Sequence, residues 1–378
     1  MSMTIVVAYL YNNNGMASWC IEACRALQSN DCNVYLVAKP GVEVPSDIKT
    51  IYYDLLPYDV SVKRSLANKI IEKIRQLIYA NVNNSLEDLC VSLGKKNIEP
   101  NLFLLNQTNL LNTRVQIKQA VVAWAYRPFW WHYLFRSFKI KGYKALYPLN
   151  VINEFAAFRC DVIGYTNASF VMSVTNRLTE DLKWYSKFVY TVYPPISLMN
   201  STDLGRVDSD TVVIIAQDLT DPRKNIKWLI DSLRDTDLAL KVRYLLIGNY
   251  NVSFREYLIQ SNLNFTLTGK LNRGDIYAAL KNKKALLFGS TLDDWGFVQT
   301  EAIALGVPVI APNKTPSDEI VHDKQFLYQQ GDRNSLLNVM KILLNSDQDA
   351  IRETVNMHYM TKFHPRIFRN KVIEFARQ

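Results

Sequence analysis

The chain of 378 residues lacks several things that would direct its reading elsewhere. It holds only five cysteines, an odd number, which argues against a disulfide-stapled secreted scaffold. Cys20 and Cys24 stand one helical turn apart with no second ligand pair beside them. They read as core thiols in a reducing compartment rather than as half of a zinc site. Of the four histidines, none belongs to a recognisable Ser or Cys nucleophile motif. No apolar run reaches the roughly 18–20 residues of a membrane span. Residues 1–10 carry neither a basic n-region nor a cleavage site, and they read as a first strand. No strand is followed by G-x-G-x-x-G, which sets a nicotinamide dehydrogenase aside. Internal repeats and low-complexity stretches are missing as well.

What remains is a globular composition, 48% hydrophobic and 21% charged, with length enough for two cores of ordinary size. The net charge of +9 is unevenly spread. Residues 1–196 hold 21 Lys+Arg against 14 Asp+Glu, a net of +7, and the remainder holds 23 against 21, a net of +2. Nucleic acid, an anionic membrane, an acidic substrate or simply a solvated surface would each account for that bias.

Apolar runs alternate with helical patterns along the whole chain. A strand at 4–10, a polar turn at 12–15, a helix at 16–28 and a second strand at 33–38 make a doubly wound start. Short runs at 102–105, 121–125, 161–165 and 188–192 fit further parallel strands. Pro194 and Pro195 form a natural boundary, since neither can donate to a ladder, and residues 200–210 look like a linker. The pattern then restarts: strands at 211–216, 242–247, 265–268, 285–288 and 307–311, with a helix from about Arg223 to Leu233 after the first.

The densest stretch runs over residues 287–308. A strand ends in a small-polar turn, Gly296 opens a helix that carries Glu301, and Gly306 closes that helix before the next strand. Amides at a helix N-terminus bind anions, and glycine lets them approach closely. A carboxylate farther along the element accepts hydrogen bonds from sugar hydroxyls. A phosphorylated sugar or nucleotide at the C-terminal edge of a parallel sheet fits this layout. Upstream, Asp221-Pro222-Arg223-Lys224-Asn225 puts two cations at a helix start, which opposes the helix dipole unless an anion lies there. Gly248 and Gly269 each end a strand, and alone they signal no more than turns.

The 287–308 stretch resembles the E-x7-E region of retaining glycosyltransferases of family 4, usually Glu-Gly-Phe-Gly followed by Glu-Ala-Met-Ala-x-Gly-x-Pro-Val. Asp293 stands where the first acid would be and Glu301 matches the second. The resemblance implies a GT-B architecture, α/β, with two Rossmann-like domains facing each other across a cleft. Their expected bounds are 1–196 for the acceptor side and 197–360 for the donor side, with a C-terminal helix at 361–378 packing back on the first domain. It also implies site roles: Arg223 and Lys224 on the donor's diphosphate, Asp293 on the transferred sugar, and Glu301 on the ribose. Asp294, Trp295, Gly296 and Phe297 complete the motif, while Gly248, Lys270 and Leu271 border the nucleotide. Asn14 and Gly15 stand where the family has a Gly-Gly loop. Tyr126 takes the place of the family's acceptor-side histidine, with Arg127 next and His132 six residues beyond Tyr126. The family's strand-end arginine has no clean counterpart, because Gln217-Asp218 occupies that place.

The activity so implied is a retaining transfer from a nucleotide-diphosphate sugar to a hydroxyl of a lipid-linked or polysaccharide acceptor. No metal and no cofactor is expected, the nucleotide sugar being a substrate, and nucleic acid is not an expected partner. The competing reading is a non-catalytic glycan- or nucleic-acid-binding module on the same fold with a decayed donor site. Two segments fit an anionic membrane surface, and with it a cytoplasmic, peripheral location. One carries Val62, Leu66, Ile70, Ile74 and Leu77 at helical spacing with lysines and arginines between. The other, residues 129–144, mixes aromatics with cations.

Overall fold

The Val-, Ile- and Leu-rich runs become two all-parallel sheets in the computed structural model, which describes residues 3–10, 15–29, 31–53, 85–106, 120–125, 142–197, 210–293, 295–314 and 316–377. The chain divides into two units, Met1–Pro195 with Pro365–Gln378, and Ile196–His364.

In the first unit the strands are β1 (Met3–Leu10), β2 (Cys32–Ala38), β3 (Thr50–Tyr52), β4 (Leu102–Leu105), β5 (Ala120–Ala125), β6 (Phe170–Ser173) and β7 (Val189–Thr191). Their order in the sheet is β3-β2-β1-β4-β5-β6-β7. Ile5, Val6, Val7 and Ala8 are wholly buried, as a parallel strand covered on both faces requires. The helix Gly15–Leu27 turns Trp19, Cys20, Ala23, Cys24 and Leu27 inward, and the Cys20 sulfur accepts a hydrogen bond from Asn106 Nδ2 at 3.1 Å. Burial pushes the thiols of Cys20 and Cys24 up, so both stay protonated and inert. The C-terminal helix Pro365–Arg377 belongs to this unit. Phe368 meets Trp19 edge-on at 6.4 Å, Phe375 stacks on Phe170 at 5.3 Å, and Lys371 Nζ donates to the Thr191 carbonyl at 2.9 Å.

One expected strand is corrected here. Residues 161–165 lie inside the helix Pro148–Asn167, which Pro148 opens from its first turn. The Asp-Val-Ile-Gly-Tyr run is too short for its periodicity to separate a strand from a buried helical turn. The strand itself, β6, follows at Phe170–Ser173.

In the second unit β8 (Thr211–Asp218), β9 (Arg243–Asn249), β10 (Phe265–Gly269), β11 (Ala285–Leu287), β12 (Val309–Pro312) and β13 (Leu327–Tyr328) lie in the order β10-β9-β8-β11-β12-β13. Counted from β8, that is the doubly wound order 3-2-1-4-5-6. The order reverses between β8 and β11, so the connections leaving those two strands diverge and open a crevice at the strands' carboxyl ends. The segment after β8 is also corrected: Pro222–Lys224 form a 3-10 turn, and the α-helix starts only at Ile226. Asn225 between them sits at φ 57°, the left-handed region, which asparagine tolerates better than most side chains.

The expected amphipathic helix around residues 62–77 lies outside the described residues, as do residues 129–141 of the aromatic-cationic run. No helix among the described residues is long and apolar enough to cross a membrane.

Candidate functional site

The crevice at the β8–β11 reversal is built by two loops fastened at one carbonyl. The β8 loop is folded by its own acids. Asp218 Oδ1 accepts from Thr220 N at 2.8 Å and Thr220 Oγ1 at 2.6 Å, and Leu219 N donates to the Asn249 carbonyl at 2.8 Å. Asp221 caps the 3-10 turn through Arg223 N at 2.9 Å. Its carboxylate also takes the Arg223 guanidinium, Nε donating to both oxygens at 3.1 Å and Nη2 to Oδ2 at 2.6 Å. Partial burial pushes the Asp221 carboxyl up, but the Arg223 hydrogen bonds and the charges of Arg223 and Lys224 together hold it below its ordinary value.

The β11 loop closes on that turn. Thr291 N (2.8 Å), Thr291 Oγ1 (3.2 Å) and Ser290 Oγ (3.2 Å) all donate to the Arg223 carbonyl. Gly289 makes the approach possible, because a Cβ there would stand 2.7 Å from Leu229 Cδ1 and 3.0 Å from the Lys224 carbonyl. The outcome is a contact across 69 residues of sequence: Lys224 Nζ lies 2.7 Å from Asp293 Oδ2. Both side chains are about one-quarter exposed, 24% and 22%, so the pair's charges are partly desolvated.

Past Asp293 the chain buries Trp295 against Phe363, ring centroids 6.0 Å apart. Gly296 at φ 83° then caps the helix Phe297–Ala304. A side chain at Gly296 would collide with the buried Gln299 amide at 2.6 Å. Thr300 and Ala302 are fully buried and fix the face on which Glu301 emerges. Glu301 Oε1 lies 3.2 Å from Arg273 Nη2 and 3.3 Å from the Tyr277 hydroxyl. Sequence reasoning misses Arg273 and Tyr277. Their one sequence signal is i, i+4 spacing on the helix that follows the Gly269 turn, where Lys270 is exposed and Leu271 half-buried.

Gly248 has a packing role: at φ +147° its missing Cβ makes room for the Ala216 carbonyl, which would otherwise stand 2.0 Å away. Gly15 begins the first helix of the other unit. Asn14, Tyr126, Arg127, His132 and Asp294 lie outside the described residues. Among the described residues no three His, Cys, Asp or Glu side chains gather as a metal site.

Residues 201–357 match the family described as Glycosyl transferases group 1. Among solved structures, the sucrose-phosphate synthase of Thermosynechococcus elongatus has a TM-score of 0.69 at 15% identity, with 100% of this chain and 98% of that one covered. HepE of Anabaena in complex with UDP-glucose gives 0.65 at 14%, with 98% of each covered. WaaG, a glycosyltransferase involved in lipopolysaccharide biosynthesis, gives 0.62 at 12%, with 99% of each covered. No curated protein sequence matches the chain. At such identities the solved structures speak for the fold, which is GT-B, and the domain match speaks for the chemistry. Within the second unit, residues 201–357 match a group 1 glycosyltransferase domain, which supports glycosyl transfer as its chemistry.

Proposed function

We propose that the chain is a retaining glycosyltransferase of family 4, acting without a metal on a nucleotide-diphosphate sugar. The observation that carries this reading is the Lys224–Asp293 pair at the sheet reversal, with Glu301 one turn into the helix that follows. Lys224 has three ammonium protons, so it can keep Asp293 and still donate to a phosphate oxygen. In this reading it stabilises the charge that develops as the nucleoside diphosphate leaves, from a position set before the reaction begins. Asp293 meets a hydroxyl of the transferred sugar and Glu301 the ribose. Arg223, its guanidinium held along the Nε–Nη2 edge by Asp221, shapes the loop and adds field to the phosphates. The departing phosphate accepts the acceptor's hydroxyl proton, so no separate general base is needed.

The acceptor we favour is an amphiphile met at the inner face of a membrane. Tyr143 (82% exposed), Leu146 and Tyr147 support this, as they extend the aromatic-cationic run into solvent. The involvement of WaaG in lipopolysaccharide biosynthesis points the same way. Thermal-shift screening of UDP-, GDP- and ADP-sugars identifies the donor, since a ligand at 100 times its dissociation constant stabilises by roughly 2.7 kcal/mol. Proton NMR of the released or transferred sugar then reads the anomer. Retention of the donor's configuration supports the reading, inversion overturns it, and binding without any turnover returns the chain to a non-catalytic module.

A further inference from the structure

Arg273, Tyr277 and Glu301 form a closed triangle. Arg273 Nε donates to the Tyr277 hydroxyl at 2.7 Å, the hydroxyl donates to Glu301 Oε1 at 3.3 Å, and Arg273 Nη2 lies 3.2 Å from the same oxygen. Because Arg273 takes a lone pair of the tyrosine oxygen, the phenolic proton is directed at the carboxylate. The guanidinium also lies over the Tyr277 ring at 5.4 Å, which holds the two side chains together as one unit on their helix. Glu301 is 12% exposed, so the ion pair is poorly screened and its geometry matters.

The same helix begins at Arg273, directly after the Gly269 turn. Asn272 caps it by accepting from Asp275 N at 2.9 Å. Gly269 is in the left-handed region at φ 77° and has open space around it. Arg273 is thus fixed at the exit of the turn that would border the base, and Tyr277 one helical turn on, both fastened to the acid that would meet the ribose.

We propose that Arg273 and Tyr277 are positioning residues for nucleotide recognition, holding Glu301 in the rotamer that accepts the ribose hydroxyls. This rests on the ribose role given to Glu301 above. An ion pair from Arg273 and a hydrogen bond from Tyr277 converge on Oε1 and hold the carboxylate in place, so the acid meets the ligand without reorganising.

The test compares each nucleoside diphosphate with its 2′,3′-dideoxy counterpart, using UDP, GDP and ADP as probes. Dissociation constants are measured on the full chain for the parent, Glu301→Gln, Arg273→Met, Tyr277→Phe and the doubles with Glu301→Gln. The parent should prefer the ribonucleotide by about tenfold or more, the worth of hydrogen bonds to a charged group. Glu301→Gln should remove most of that preference. Arg273→Met should remove as much, and Tyr277→Phe a smaller part. Neither should add to Glu301→Gln in the double variants. With saturating donor the turnover of Arg273→Met and Tyr277→Phe should match the parent while KM rises, a split that general destabilisation would not produce. If Glu301→Gln keeps the preference, the ribose assignment itself fails and the positioning role falls with it. If Glu301→Gln loses it while Arg273→Met and Tyr277→Phe keep it, the assignment stands and the positioning role is overturned. Additive losses in the doubles also overturn it, since Arg273 would then act independently of Glu301. Tyr277→Phe removes one oxygen from a half-buried ring, so it keeps the test open if Arg273→Met fails to fold.

Discussion

Lys224 is where the residue-scale account is most exposed to experiment. Its ammonium is anchored by one bond to Asp293 at 2.7 Å, its own N–H donates to the Asp221 carbonyl at 2.9 Å, and the Arg223 carbonyl just before it is held by Ser290 and Thr291. A cation held this way before the donor arrives favours the departing diphosphate more than the bound ground state. Lys224→Ala should therefore lower kcat by about 10²–10³, or roughly 2.7–4 kcal/mol, with a much smaller change in donor affinity. Steady-state kinetics check this. A rate within a few-fold of the parent would move the diphosphate elsewhere, with Arg223 the next residue to test. Lys224, Asp293 and Glu301 were legible in the chain because the motif spacing is local and the types are chemically specific. Arg273 and Tyr277 were not, since their meeting with Glu301 arises from one helix packing on another 24 residues away.

Among the elements, the second sheet was readable nearly strand by strand, because fully buried parallel strands are short apolar runs bounded by polar turns. Residues 161–165 defeated the same reading because a buried helical turn offers the same local pattern. A less visible feature lies behind the motif. Trp295 packs on Phe363, Phe363 meets His358 at 5.4 Å, and His358 meets His322 at 6.5 Å. His358 bonds the Ile320 carbonyl at 2.9 Å. His322 stacks on Phe326 at 5.0 Å, and neither of its ring nitrogens has a hydrogen-bond partner among the described residues. Burial lowers its pKa to about 4, with His358 adding to the effect and Asp323 opposing it. Burial also lowers the His358 pKa. Stability should be unaffected by His322 above the unfolded value near 6.5. It should fall as pH drops towards about 4, because only the unfolded chain takes the proton over that window. The loss is on the order of 3 kcal/mol. Urea midpoints measured at pH 7 and pH 4 should converge when His322 is replaced by Phe. Equal acid sensitivity in parent and His322→Phe would place the titrating group elsewhere.

Over the whole molecule, the charge bias and the donor chemistry fall on different parts of the chain. Residues 1–196 carry 21 Lys+Arg and 14 Asp+Glu, whereas the candidate donor site belongs to the unit Ile196–His364. If anionic lipid meets the first part, attraction of about 1 kcal/mol per cation near the surface makes three lysines decisive. Replacing Lys63, Lys69 and Lys73 by glutamate should abolish sedimentation with phosphatidylserine-rich vesicles and leave nucleotide affinity unchanged. A parent that ignores such vesicles at low salt would point to a soluble acceptor. The central claim, that a nucleotide donor is held at the β8–β11 reversal by Lys224, Asp293 and Glu301, is tested most directly by calorimetric titration. The parent and Glu301→Ala are titrated with the nucleoside diphosphate that the thermal-shift panel selects. A folded Glu301→Ala protein should bind it at least about tenfold more weakly, whereas an unchanged affinity would contradict the account.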